Sequence, residues 1–187
     1  MLTDPKARKV RGVAQLAKKD ARSQTGLFLL EGVQGLKEVL AKPSLVVELY
    51  ATEEAMDRHL DLFRDVAGAG IAVEVVSPVV MKKLCDTETP QGVLAVCQQV
   101  DVSLESVLAK KPKLIAFLAN VRDPGNAGTV LRAADAAGAD AVVFSADSVD
   151  IYNSKVVRST TGSLFHLDVV RGVSIEDEIG RASCRER

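Results

Sequence analysis

The chain has no tryptophan, two tyrosines and five phenylalanines in 187 residues. With aromatics at 4%, Ala, Val and Leu must fill the interior, which argues against an aromatic-rich β-sandwich and for layered α/β packing. Cysteine is almost as scarce. Cys85, Cys97 and Cys184 share no CxxC spacing, and the two histidines, His59 and His166, form no cluster. That excludes a disulfide scaffold and leaves no metal site to expect. No apolar run approaches the roughly 18 residues of a membrane span, and the N-terminus is too charged for a secretory leader, so the expected location is cytoplasmic. A net charge of −1 means that nothing global demands a polyanionic partner.

What is present is a 47% apolar fraction, enough to bury a core in one large or two small domains. Charge is unevenly placed. Residues 1–25 hold seven Lys and Arg, among them Lys6, Arg8, Lys9, Arg11 and Arg22, against Asp4 and Asp20, a local net charge of +5. Such a patch suits a phosphate backbone, and a solvated amphipathic helix explains it equally well.

Periodicity divides the chain in two. Residues 6–24 read as one basic helix closed by Gly26. Then strands at Leu27–Gly32, Leu45–Ala51, Ile71–Val76 and Val93–Val100 alternate with helices at Val33–Ala41, Glu53–Ala69 and Pro78–Leu84, giving a small α/β domain over residues 1–101. Residues 102–113, polar and ending in KKPK, read as a linker. Leu114–Asn120 (LIAFLAN) is expected to be a central parallel strand buried on both faces. A helix over Ala127–Ala137, a strand Ala139–Ser145, a helix Tyr152–Thr160 and a strand Leu164–Val170 make residues 114–177 the first part of a second α/β domain.

The chemistry concentrates at the corner Asn120–Gly138, NVRDPGNAGTVLRAADAAG. Pro124-Gly125 is expected to turn the chain sharply, with Asn126 capping the next helix. Gly128 keeps the first turn bare, so that another backbone or a ligand can approach. Free N–H groups at a helix start suit a phosphate, and Arg132, one turn on, carries a fork that matches its oxygens. An ordinary βα turn with a surface Arg is the plain alternative for each residue taken singly.

Those residues carry a resemblance. N-x-x-D-P-x-N-x-G-x-x-x-R-x-A-x-x-x-G falls on Asn120, Asp123, Pro124, Asn126, Gly128, Arg132, Ala134 and Gly138, and it resembles the first motif of the SpoU (TrmH-type) RNA ribose 2′-O-methyltransferases of the SPOUT class. KVVRSTTGSLFHLDVV is similar to the family's next stretch, through Lys155, Arg158, Ser159, Gly162 and Phe165. FLLEG, with Glu31 and Gly32, and TPQGVLAV resemble the family's L30e-like substrate-binding domain. The resemblance implies an L30e-like domain followed by an α/β-knot domain with a parallel sheet, and methyl transfer from S-adenosylmethionine to a ribose hydroxyl of structured, ribosomal RNA. It implies catalytic roles for Arg132 and Asn126; RNA contacts are expected from the basic patch at Lys6, Arg8, Lys9 and Arg11, and at Glu31, Arg122, Arg158 and Ser159. The other reading is an RNA-binding module without catalytic activity.

The family builds its cofactor pocket from two later motifs, a Gly- and Glu-rich loop and a Ser/Asn segment, and neither occurs after Val173. The expectation is therefore an incomplete, unknotted methyltransferase domain with no cofactor-binding residues in this chain. It would be inactive by itself, and the homodimer is implied for the full-length enzyme. EIGRASCRER, residues 178–187, changes composition abruptly and is what a common sequencing-adapter string encodes. It is read as a non-native tail in which Cys184 has no function.

Overall fold

The computed structural model describes residues 1–174. The expected tail, 178–187, and the last residues of the expected second domain lie outside the described residues. The chain divides into two compact units, Met1–Gln99 and Val100–Arg187.

The first unit opens with α1 (Arg8–Gln15) and α2 (Lys19–Thr25) in place of one continuous helix. The break comes where Lys18 takes extended backbone angles. There Arg22, only 4% exposed, donates to the carbonyls of Leu16 (2.8 Å) and Ala17 (2.7 Å). Arg22 thus satisfies the open C=O end of α1 and is not part of any surface patch. Gly26, at φ 67°, closes α2 as expected.

The rest of the unit runs β1 (Leu27–Glu31), α3 (Val33–Val39), β2 (Val46–Ala51), α4 (Glu53–Arg58), α5 (Leu60–Gly68), β3 (Val73–Val75), α6 (Pro78–Leu84) and β4 (Val93–Gln98). The helix expected over 53–69 is divided at His59, whose φ of −124° is not helical. The sheet order is β1-β4-β2-β3. β4 pairs antiparallel with both β1 and β2, and β2 pairs parallel with β3. β4 is buried along all but its last residue, which explains its unbroken apolar run VLAVC. Val10, Val13 and Leu16 form the apolar stripe of α1 and pack into one cluster with Leu29, Tyr50 and Met81.

The loop between α6 and β4 is tied down from two sides. Glu31 accepts the Asp86 amide (2.9 Å) and the Thr87 hydroxyl (3.2 Å), and the Gln91 side-chain oxygen accepts the Val33 amide (3.0 Å). Gly92, at φ 80°, then passes so close to α4 that a Cβ would lie 2.5 Å from Thr52 Oγ1 and 2.8 Å from the Ala55 Cβ. Gly92→Ala is expected to lower stability by about 2–4 kcal/mol, through left-handed strain plus overpacking, as measured by denaturant unfolding.

The second unit contains α7 (Leu104–Ala109), β5 (Ile115–Leu118), α8 (Pro124–Ala136), β6 (Ala141–Ser145), α9 (Ser154–Thr160) and β7 (Asp168–Val173). Its sheet is all parallel, in the order β5-β6-β7. Two expectations are corrected here. The segment 102–113 does not hang as a linker. Ser103 caps α7 by accepting the Ser106 amide, and Val107 is buried among Ala141, Val143 and Val170. Nor is Leu114–Asn120 a central strand among the described residues. Among the described residues β5 pairs only with β6, and Leu114 (46%) and Phe117 (39%) remain exposed, whereas every residue of β6 is buried.

A polar cluster fixes the start of this unit. The Tyr152 hydroxyl accepts the amides of Val100 (2.7 Å) and Asp101 (2.9 Å) and donates to Asp101 Oδ1 (2.7 Å). Arg171 donates to Asp101 Oδ2 (2.9 Å) and lies 5.1 Å over the Tyr152 ring. Burial, together with the Asp101 carboxylate, pushes the Tyr152 phenol well above its ordinary pKa and keeps it a neutral donor.

Candidate RNA-facing site at the start of helix α8

At the end of β5 the chain leaves the sheet through Asn120, in the left-handed region at φ 53°, a conformation that Asn tolerates better than other side chains. The Asn120 amide donates to Ser145 Oγ (2.9 Å), and Ser148 Oγ donates to the Leu118 carbonyl (3.3 Å), so the exits of β5 and β6 are held together. Helix α8 is then started by Asp123, which accepts the Asn126 amide at 2.7 Å, with Pro124 at the first helical position. This corrects two expectations. Pro124-Gly125 is the first turn of the helix, with Gly125 at an ordinary negative φ, and Asn126 is its third residue, not its cap.

The choice between backbone and ligand at Gly128 is decided for backbone. A Cβ there would sit 1.8 Å from Ser159 Oγ and 2.9 Å from the Ser159 carbonyl carbon. The absent side chain lets α9 press against α8. Ser159 donates to the carbonyls of Val156 (2.8 Å) and Pro124 (3.2 Å), so its hydroxyl joins α9 to the head of α8 and is not presented to a ligand.

With Asp123, Gly128 and Ser159 holding the corner, several polar side chains are left over, and the long ones are on its outer face. Arg122, Asn126 and Arg132 are all exposed, and among the described residues none makes a side-chain hydrogen bond or ion pair. Arg158, the other expected contact of this unit, is half-buried on α9. In the first unit Lys6, Arg8 and Arg11 are exposed. Lys9 is not available in the same way. It is ion-paired with Glu74 and lies 5.4 Å over the Tyr50 ring, and the Glu74 hydrogen bond raises its pKa against the opposing effect of burial. Glu31 is also taken, by the loop that it clamps.

Beside Arg132 lies a shallow, open concavity walled by Thr129, Ala133, Asp135, Ala136 and Ser163. Sequence places His166 inside a strand. The structure instead ends α9 through Gly162 (φ 105°) into a 3-10 turn, Ser163–Phe165, and β7 begins only at Asp168. His166 is thereby delivered to Asp135, with Nδ1 2.8 Å from Oδ2. Burial pushes the Asp135 pKa up, but hydrogen bonds from Ser163 and His166 and the imidazole charge outweigh it, and the net shift is downward. A lowered carboxylate pKa stabilises the fold above the ordinary Asp range, about pH 4, and that stability is lost as pH falls through the folded value. Ser163→Ala removes one of these donors. Its destabilisation relative to wild type should therefore be largest at neutral pH and shrink under acid, as read from denaturant unfolding across pH. A pH-independent difference would refute this role.

The same concavity tests the fit of S-adenosylmethionine. It is an open surface between α8 and the 3-10 turn at Ser163, and Asp135 already serves Ser163 and His166, so it does not enclose an adenosyl group. Among the described residues there is also no cluster of three His, Cys, Asp or Glu placed to hold a metal, and no helix is long and apolar enough to cross a membrane.

Comparison with known proteins gives these observations a family. Residues 113–184 match the SpoU rRNA Methylase family, and residues 7–95 match the MRM3-like substrate binding domain. The chain is 38% identical over 167 residues to the 23S rRNA guanosine 2′-O-methyltransferase RlmP of Bacillus subtilis, covering 89% of this chain and 62% of the relative. It is 31% identical over 180 residues to a 23S rRNA uridine 2′-O-methyltransferase of Streptomyces viridochromogenes, covering 91% of this chain and 59% of that protein. The chain thus spans about three fifths of the curated relatives that it matches. The crystal structure of an AdoMet-bound rRNA methyltransferase from Sinorhizobium meliloti superposes with a TM-score of 0.80 at 25% identity, covering 97% of this chain and 67% of that one. An RNA 2′-O ribose methyltransferase gives 0.79 at 28% identity, covering 99% and 70%. An α/β chain with a parallel second sheet and a D-P-G-N-A-G corner, carrying both domain matches, belongs to the SpoU rRNA methylase family.

Proposed function

We propose that this chain is the RNA-recognising portion of a ribosomal RNA ribose 2′-O-methyltransferase that takes its methyl group from S-adenosylmethionine, and that Arg122, Asn126 and Arg132 meet the RNA. One observation carries the reading. At a corner where Asp123 and Ser159 serve the fold, these three side chains are exposed and make no hydrogen bond or ion pair among the described residues.

A ribose hydroxyl is a poor nucleophile, so its proton must leave as the new bond forms. A guanidinium offers donors and no acceptor, so Arg132 does not take that proton. Its fork grips the neighbouring phosphate and lowers the energy of the developing alkoxide, while the phosphate oxygen accepts the proton. Asn126, a donor and an acceptor at the helix start, orients the ribose, and Arg122 adds charge on the loop before it. In the first unit Lys6, Arg8 and Arg11 hold the RNA backbone by charge.

The test is methyl transfer from labelled S-adenosylmethionine to ribosomal RNA by the full-length enzyme that contains this chain, with RNA affinity measured in parallel. Asn126→Ala should reduce turnover far more than affinity, whereas changing Arg8 and Arg11 together should weaken affinity and flatten its salt dependence with turnover at saturation intact. Equal loss of both quantities in Asn126→Ala would place that residue in binding alone and overturn its catalytic role.

A further inference from the structure

The first unit contains a cleft of about 270 Å³ at the head of α4, walled by α6 and by Pro90–Gly92. We propose that it holds one unpaired RNA nucleotide, with the base on the cleft floor and the phosphate at Lys82 and Arg58. The inference rests on the reading of the chain as RNA-binding and adds to it a specific subsite, away from the α8 corner.

Three features of the cleft carry the assignment. Its floor is apolar without being greasy: Ala55, Pro78, Met81 and Pro90 present flat or polarisable surfaces to a ring. Its rim is cationic on balance. Arg58 is ion-paired with Glu54 on the same helix, while Lys82 is exposed and makes no ion pair among the described residues. Finally, its far wall is rigid. Gln91 is tied to Val33 at 3.0 Å, and Gly92 is pressed against Thr52 and Ala55, so the cleft exists before anything enters it. A preformed pocket with a flat apolar floor, amide and hydroxyl groups at the sides and a cation at the mouth matches a base joined to a phosphate. Single-stranded RNA is recognised through just such splayed-out nucleotides.

The experiment is a titration of the full chain with adenosine monophosphate, adenosine, inorganic phosphate and a short single-stranded oligoribonucleotide, followed by backbone amide NMR shifts. The expected result is a shift of Ala55, Gln91 and Gly92 with the nucleotide and the oligonucleotide, stronger than with adenosine or phosphate alone. Lys82→Glu should weaken that binding by about tenfold and Lys82→Gln by less, as for loss of a phosphate contact. Lys82 is exposed, so the fold is expected to survive both changes. Equal shifts with inorganic phosphate would reduce the site to a cation on the surface, and no shifts in the cleft, or shifts at the start of α8 alone, would overturn the proposal. Arg132→Ala should leave the cleft's response unchanged. Failure here and failure of the α8 reading are therefore separate results.

Discussion

Gly128→Ala is expected to destabilise the second unit by about 3 kcal/mol or more, the scale of strong overpacking in a core. Relief by side-chain motion is limited. Ser159 Oγ, 1.8 Å from the added methyl, could rotate away, but the Ser159 Cβ (2.7 Å) and carbonyl carbon (2.9 Å) could not, so α9 must move as a body. Moving it withdraws the hydrogen bond from Ser159 to the Pro124 carbonyl and disturbs Val156 and Val157, which are buried. Ser159→Ala in the same background removes only the nearest atom and should recover part of the loss; Ser159→Gly removes Cβ as well and should recover more. Denaturant unfolding of the single and double variants measures this coupling directly. A Gly128→Ala protein within about 0.5 kcal/mol of wild type would show that the helices are not held at this distance.

The same corner shows what sequence could and could not convey. Asp-Pro at a strand exit is a local signal for a helix start, and the helix does begin there. Which Asx residue caps it is not local, because Asp123 and Asn126 are both good caps and only the observed backbone angles choose between them. Apolar runs gave the strands but not their order: LIAFLAN and AVVFS look equally buried in one dimension, and only pairing makes β6 central and β5 outer among the described residues. LESVLA, too short and too polar to register as a helix, is fixed by a single buried Val107. The structural roles of Arg22 and His166 were not legible for a related reason. A charged side chain becomes structural through partners that are contacts in space, such as the carbonyls at the end of α1, or Asp135 31 residues away. The family, by contrast, was legible, because its motif is a spacing and spacing survives in a linear string.

Those structural assignments make the remaining prediction sharper. In the full-length enzyme, Arg132→Ala is expected to lower methyl transfer by about 10²–10³-fold, the range found when one preorganised donor to a developing oxyanion is removed. Because the Arg132 side chain is exposed and makes no hydrogen bond or ion pair among the described residues, unfolding midpoints should not change, and lost turnover cannot be assigned to lost structure. RNA affinity should fall only by the worth of one phosphate contact, with the salt slope reduced by about 1. Arg132→Lys separates charge from geometry. A lysine keeps the positive charge but loses the planar fork, so it should restore most of the affinity and little of the turnover if the fork must hold a phosphate and face an alkoxide together. Full recovery of turnover by Lys would leave simple charge as the requirement. Near-normal turnover in Arg132→Ala would remove this residue from the chemistry altogether and leave α8 as a docking surface for RNA.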